Sequence, residues 1–210
     1  MWSTSRLALL VALPLFAVNA ALGQDDEAVE LLDAELSHWT IENTTAGNFS
    51  MRDGVLEVRE PEGWLKSTGT YSDFDLSTEF RFMTDDADSG IFVRAQGENT
   101  FARGWPNQSY QVQLRNPLGA SPFPPVGGIF RHGMPNGDTS YDEDLARASS
   151  LPTGAWQTLN VRVRAATLTV ELNGVEITRA EAIAGSPGYI GIQGETGTLE
   201  FRSVRLRTLQ

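Results

Sequence analysis

Apolar and polar residues alternate with a period of two along most of this chain, and the 3.6-residue period of an amphipathic helix is almost absent. In residues 76–82, Leu76, Thr78, Phe80 and Phe82 fall on one face and Ser77, Glu79 and Arg81 on the other. Residues 91–94 and 110–115 predict two further strands; in the second, Tyr110, Val112 and Leu114 oppose Gln111, Gln113 and Arg115. Residues 49–58 read as extended chain passing through an Asp53-Gly54 turn. The C-terminal third is the clearest part. A strand over 156–163 precedes 168–172, which meets Asn173-Gly174 and returns over 175–178; segments 189–193 and 199–206 close the pattern. Asn-Gly between alternating runs is a strong short-range hairpin signal, because both central residues of a type I′ turn need positive φ. Many short strands with regular turns and no evident helix predict an all-β, two-sheet antiparallel sandwich of the jelly-roll type.

Two stretches resist strand assignment. One, 116–148, is rich in Pro and Gly and carries an acidic tip at 137–144; the other, 96–107, carries Trp105. Both flank the central strands, where they would wall a cleft over one sheet face or merely decorate the surface. At the N-terminus, Arg6 precedes an apolar run over 7–18 that is too short to cross a hydrocarbon core of ~30 Å, followed by small residues and an acidic stretch. That order predicts a cleaved export signal over 1–23, a short acidic linker over 24–30 and one sandwich domain over 31–210, with a periplasmic or extracellular destination and no membrane attachment after cleavage.

The chain has no Cys, which excludes thiol catalysis and Cys-ligated metals. Asp and Glu outnumber Lys and Arg 27 to 16, a net charge of −11. Such a surface repels nucleic-acid phosphates and anionic lipid, so neither is an expected partner. There is no nucleophile elbow, phosphate loop, dinucleotide fingerprint or HExxH helix. The two histidines, His38 and His132, are far apart in sequence and give no metal-binding spacing.

Polar side chains instead crowd onto strands. If segments 91–94, 110–115 and 189–195 share a sheet, Arg94, Gln111, Gln113, Gln193 and Glu195 line one polar, concave face. Amides and guanidinium donors at fixed pleat spacing suit a hydroxyl-rich ligand such as a sugar, with Trp64, Trp105, Tyr110 or Phe130 as a stacking surface. The competing reading is an ordinary solvated antiparallel face, which alternation produces anyway.

The same residues carry a family resemblance. Tyr71-Ser72-Asp73-Phe74-Asp75-Leu76, Asp88-Ser89-Gly90-Ile91-Phe92-Val93-Arg94, Tyr110-Gln111-Val112-Gln113, Gly127-Gly128-Ile129-Phe130, Gly154-Ala155-Trp156 and Ile190-Gly191-Ile192-Gln193 through Glu195, in that order, resemble blocks of the bacterial 3-keto-disaccharide hydrolase domain family (3-keto-glucoside lyases and hydratases). The resemblance implies a concanavalin-like or laminin-G-like jelly roll and a particular route to glycosidic cleavage. A ketone at sugar carbon 3 acidifies the proton on carbon 2; a base removes it, the enolate expels the group on carbon 1, and water adds to the enone. Paired glycosidase carboxylates are not required. The resemblance leaves room for a divalent metal, Ca²⁺ or Mn²⁺, polarising the ketone, without fixing its ligands. In these terms Glu195 is the expected base and Arg94 the partner of the ketone or enolate oxygen. His132 and Arg131 act as acid or substrate clamp, and Gln111, Gln113 and Gln193 hold hydroxyls; Asp88, Asn116, Tyr110 and Trp105 complete the expected substrate site. The chain departs from the family pattern where Gln111 replaces a Glu, Asp88 an Asn, and Arg115 displaces a following acidic residue or Asn. Such departures keep two alternatives open: a noncatalytic carbohydrate-binding module and a protein-binding laminin-G-like domain.

Overall fold

The computed structural model describes residues 27–96, 104–184 and 187–210. The expected export signal and part of the 96–107 loop lie outside them. In chain order the strands are β1 (Val29–Glu30), β2 (Trp39–Glu42), β3 (Phe49–Arg52), β4 (Val55–Arg59), β5 (Gly63–Tyr71), β6 (Phe74–Phe82), β7 (Asp88–Ala95) and β8 (Ser109–Arg115). They continue with β9 (Ile129–His132), β10 (Thr139–Tyr141), β11 (Gln157–Arg164), β12 (Thr167–Leu172), β13 (Val175–Ala180), β14 (Gly188–Gly194) and β15 (Thr198–Thr208). Among the described residues a 3-10 turn, Ala46–Asn48, and one α-helix, α1 (Glu143–Ser149), interrupt them.

The strands form two antiparallel sheets. The larger runs β10-β13-β12-β11-β6-β15-β4-β3, with β1 on β15; the smaller runs β2-β5-β14-β7-β8-β9. The alternation in β6 decides its orientation: Phe74, Leu76, Thr78, Phe80 and Phe82 are buried, while the residues between them are only partly covered. These side chains meet Ile91, Val93, Tyr110, Val112, Leu114, Ile190 and Ile192 from the smaller sheet in one continuous core. Each such side chain, fully buried, adds about 1.5–3 kcal/mol of hydrophobic stabilisation. The Asn173-Gly174 hairpin forms as expected, with φ of 51° and 82° and Leu172 opposite Val175. Asp53-Gly54 makes the same turn, with φ of 51° and 77°.

The structure extends the expected pattern in three places. The 63–71 segment is a full strand, although adjacent apolar residues Trp64 and Leu65 break its alternation; Trp64 lies on the outer face and Leu65 in the core. The Pro- and Gly-rich stretch contains β9 and β10, which add an edge strand to each sheet. It also contains the short helix that the pattern does not predict. Asp142 caps that helix by accepting from the Leu145 N–H at 2.9 Å, and Glu143 and Asp144 occupy its first turn, where carboxylates suit the helix dipole.

Candidate functional site

The central strands of the smaller sheet, β14, β7 and β8, are buried on both faces. In β8 every residue is buried, Gln111, Gln113 and Arg115 included. Its outward face holds a second apolar cluster, Trp64, Phe92, Ala95 and Trp105, and beside it a polar array. The two meet at a depression of about 210 Å³ lined by Asp88, Trp105, Gln111, Gln113, Phe123, Phe130, His132 and Glu195.

Strand pairing builds the array. Gly90 on β7 lies opposite Gln113 on β8. The missing side chain at Gly90 is a spatial requirement. A Cβ there would lie 2.7 Å from Gln111 Cγ and Nε2 and 2.9 Å from Gln193 Oε1. Three glutamines fill the space. Gln111 Nε2 donates to Gln113 Oε1 at 2.7 Å and to Gln193 Oε1 at 2.9 Å. Gln113 Nε2 donates to Asp88 Oδ1 at 2.7 Å, and Gln193 Nε2 to Glu195 Oε2 at 2.9 Å. His132 Nε2 lies 2.7 Å from Gln111 Oε1.

This network has one direction. An ionised carboxylate only accepts, so Gln113 and Gln193 must turn their amide nitrogens to Asp88 and Glu195. Their oxygens then face Gln111, whose two N–H groups supply both. Gln111 Oε1 is left facing His132, so Nε2 of that ring carries the hydrogen. In the neutral ring the lone pair consequently sits on Nδ1. Desolvation lowers the His132 pKa below its ordinary 6.5, which favours the neutral imidazole. The ring stacks on Phe130, with centroids 6.3 Å apart and planes 17° apart.

The expected site residues divide into two groups. Asp88, Gln111, Gln113, His132, Glu195 and Trp105 come together around the depression. Gln193 belongs to the array, but it is wholly buried and is absent from the lining; it positions Glu195 and cannot hold a substrate hydroxyl directly. Arg94 is not brought to this face. Alternation would place it there, but its φ of 54° and a register break between β14 and β7 turn it to the opposite side. It donates to Ala184 O at 2.9 Å and Ala165 O at 3.2 Å, and pairs with Asp73 at 3.3 Å. Gly188 permits the bulge, since a Cβ there would lie 2.4 Å from the Arg94 backbone.

Arg131, Tyr110 and Asn116 also point elsewhere. Arg131 donates to Pro135 O, Gly137 O and Thr139 Oγ1, with its guanidinium 5.4 Å from the Tyr110 ring centroid. Tyr110 sits in the core, where its hydroxyl accepts from the Ala184 N–H at 2.8 Å. Asn116 donates to Thr84 O and Thr153 Oγ1, tying loops together. The sequence reading missed Phe123. Nothing marks it beyond an aromatic residue between two prolines, and the loop that aims it is set by Arg115.

The donor set does not fit a protein-built metal cage. Among the described residues no three His, Cys, Asp or Glu side chains converge, and the two carboxylates at the depression each receive a glutamine N–H. A second depression, on the outer face of the larger sheet, is lined by Asp75, Asn160, Arg162 and Glu171 among others; Arg162 and Asp75 pair within it at 2.5 Å.

Comparison with known proteins agrees with the fold. Residues 27–207 match the model of the 3-keto-alpha-glucoside-1,2-lyase-like domain. A candidate glycosyl hydrolase from Parabacteroides distasonis ATCC 8503 superposes with a TM-score of 0.67 at 19% identity, covering 88% of this chain and all (100%) of that one. The carbohydrate binding module CBM66 from Bacillus subtilis gives 0.52 at 12% identity, over 80% of this chain and 93% of that one. The Bacillus licheniformis beta-glucanase gives 0.53 at 14% identity, over 90% and 100%. At these identities the structural likenesses establish the jelly-roll sandwich alone. No curated protein matches the chain in sequence.

Proposed function

The chain belongs to the 3-keto-alpha-glucoside-1,2-lyase-like domain family, and on that premise we propose that it is an exported enzyme cleaving 3-keto-glycosides by elimination and hydration. The observation that carries this reading is the directed array that joins a histidine to two carboxylates beside an aromatic wall on one sheet face.

The chemistry follows from what each group can still do. Glu195 accepts from Gln193 through Oε2, which fixes the carboxylate for removal of the proton on carbon 2 of the sugar. The electron pair moves into a carbon 1–carbon 2 double bond as the carbon 1–oxygen bond breaks. The aglycone leaves as an alcohol once its oxygen has taken a proton, and the 2-hydroxy-enone takes up water to give the 3-keto sugar. Net, one water is consumed and one glycosidic bond is lost. Arg94 takes no part, because its guanidinium lies on the other side of the sheet. The amide hydrogen of Gln113 beyond its bond to Asp88 takes over as donor to the ketone oxygen, whose charge grows in the enolate. His132 is neutral by desolvation, so it does not rest as an acid; its Nδ1 lone pair takes a proton from water and passes it to the leaving oxygen, and the hydroxide left behind is neutralised by the proton that Glu195 took from carbon 2.

A second reading, a binding module without turnover, draws on one observation. All three hydrogen-bonding positions of Gln111 that face the array are satisfied within it, as a rigid binding floor requires. Incubating the purified protein with a 3-keto-glucoside bearing a chromogenic leaving group separates the two. Aglycone release with a transient ultraviolet-absorbing enone is expected. Saturable binding of the same compound without release would replace the enzyme reading by the module.

A further inference from the structure

The depression has two chemically distinct walls. Asp88, Gln113 and Glu195 supply polar atoms from β7, β8 and the end of β14, while Phe123, Phe130 and Trp105 supply rings from β9 and the loops. Phe123 is 57% exposed, although it is a large apolar side chain at the mouth of a pocket. Its place is not accidental. The Arg115 side chain is buried, and its guanidinium donates to Gly119 O at 3.1 Å, to Pro124 O at 3.3 Å and to Phe123 O itself. Burial lowers the Arg115 pKa and the nearby Asp88 charge opposes that, so a costly buried cation is committed to holding this loop. The Phe123 ring meets Phe130 edge-on, with centroids 6.0 Å apart and planes at 72°. Phe130 in turn stacks on His132.

We propose that Phe123 and Phe130 form an aglycone subsite for a planar aromatic group, so that the substrates are aryl 3-keto-glycosides rather than 3-keto-disaccharides. This rests on the lyase reading and narrows it. A second sugar could lay only its apolar C–H face on these rings, and its rim hydroxyls would find no hydrogen-bonding partner on Phe123 or Phe130. An aryl group loses no such bonds, and its face can stack beside a ring pair already arranged edge to face. The polar wall is then left for the keto-sugar ring.

The test compares phenyl 3-keto-glucoside with a 3-keto-disaccharide on wild type and Phe123→Ala, reading KM and kcat separately. Aryl leaving groups depart more readily whatever the enzyme, so the decisive quantity is the change caused by the substitution. For the phenyl substrate KM should rise roughly three- to tenfold, with the disaccharide KM within about twofold of wild type. Equal shifts for both substrates, or none for the phenyl compound, would overturn the subsite while leaving the lyase reading intact. If wild type turns over neither compound, the lyase reading falls, and equilibrium binding of phenyl 3-keto-glucoside decides the subsite alone. A Kd raised by Phe123→Ala upholds it; an unchanged Kd or no binding overturns it.

Discussion

At the scale of single residues, the array makes each member's role separable. Replacing Glu195 by Gln keeps the shape but removes the base; kcat should fall at least a hundredfold while the melting temperature stays close to wild type, and retained turnover would take Glu195 out of this role. Gly90→Ala forces a methyl group into Gln111 and Gln193. Because the array is densely bonded, the expected cost is about 1–3 kcal/mol of stability together with at least a tenfold loss in kcat/KM. A stable, fully active Gly90→Ala protein would show that the array tolerates displacement. Alternation alone places Gln111 and Gln113 on one face, so that part of the site is legible in the sequence. Their mutual orientation is not, because it depends on carboxylates contributed by two other strands.

At the scale of elements, Arg94 shows where periodicity stops being a guide. A single positive φ in β7 reverses every side chain after it, so Ala95 joins the outer cluster and Arg94 pins the turn at Ala165 and the Asp73 carboxylate. Only Gly188, one of many glycines in the sequence, hints at the close approach that makes the bulge possible. The assignment is checkable. Arg94→Met should cost about 3–5 kcal/mol, as expected for breaking a buried charge pair, while kcat/KM of the folded fraction changes less than about threefold. A large kcat loss at unchanged stability would return Arg94 to the chemistry. The edge strand β9 was hidden for a different reason. Only four residues long and preceded by Gly127-Gly128, it carries too little alternation to register, yet it delivers Phe130 and His132 to the site. The Asn173-Gly174 hairpin was legible because its turn chemistry is local; β9 depends on pairing with β8, a contact at long sequence separation.

At the scale of the whole molecule, the two sheets carry titrating groups on their outer faces that couple folding to pH over separate ranges. On the smaller sheet, His132 has a folded pKa below its ordinary 6.5. Below about 6.5 the unfolded chain binds more protons than the folded one, so stability falls as pH drops from 6.5 towards the folded value and then levels. On the larger sheet, a hydrogen bond from Arg162, and then one from Arg207, holds the Asp75 carboxyl below its ordinary 3.8. Its contribution is complete above about 3.8 and is lost as pH falls through the folded value. Acid unfolding should therefore weaken the protein in two steps. His132→Gln, which retains an N–H for Gln111 Oε1, should erase the upper step and leave the lower; Asp75→Asn should leave the upper step and shrink the lower, to which Asp33 and Glu181, also held below their ordinary values, contribute. Denaturant midpoints measured from pH 8 to pH 3 on the three proteins would show it. An upper step that persists in His132→Gln would mean that another group near the array loses its proton on folding, and the neutral-histidine assignment at the site would have to be abandoned.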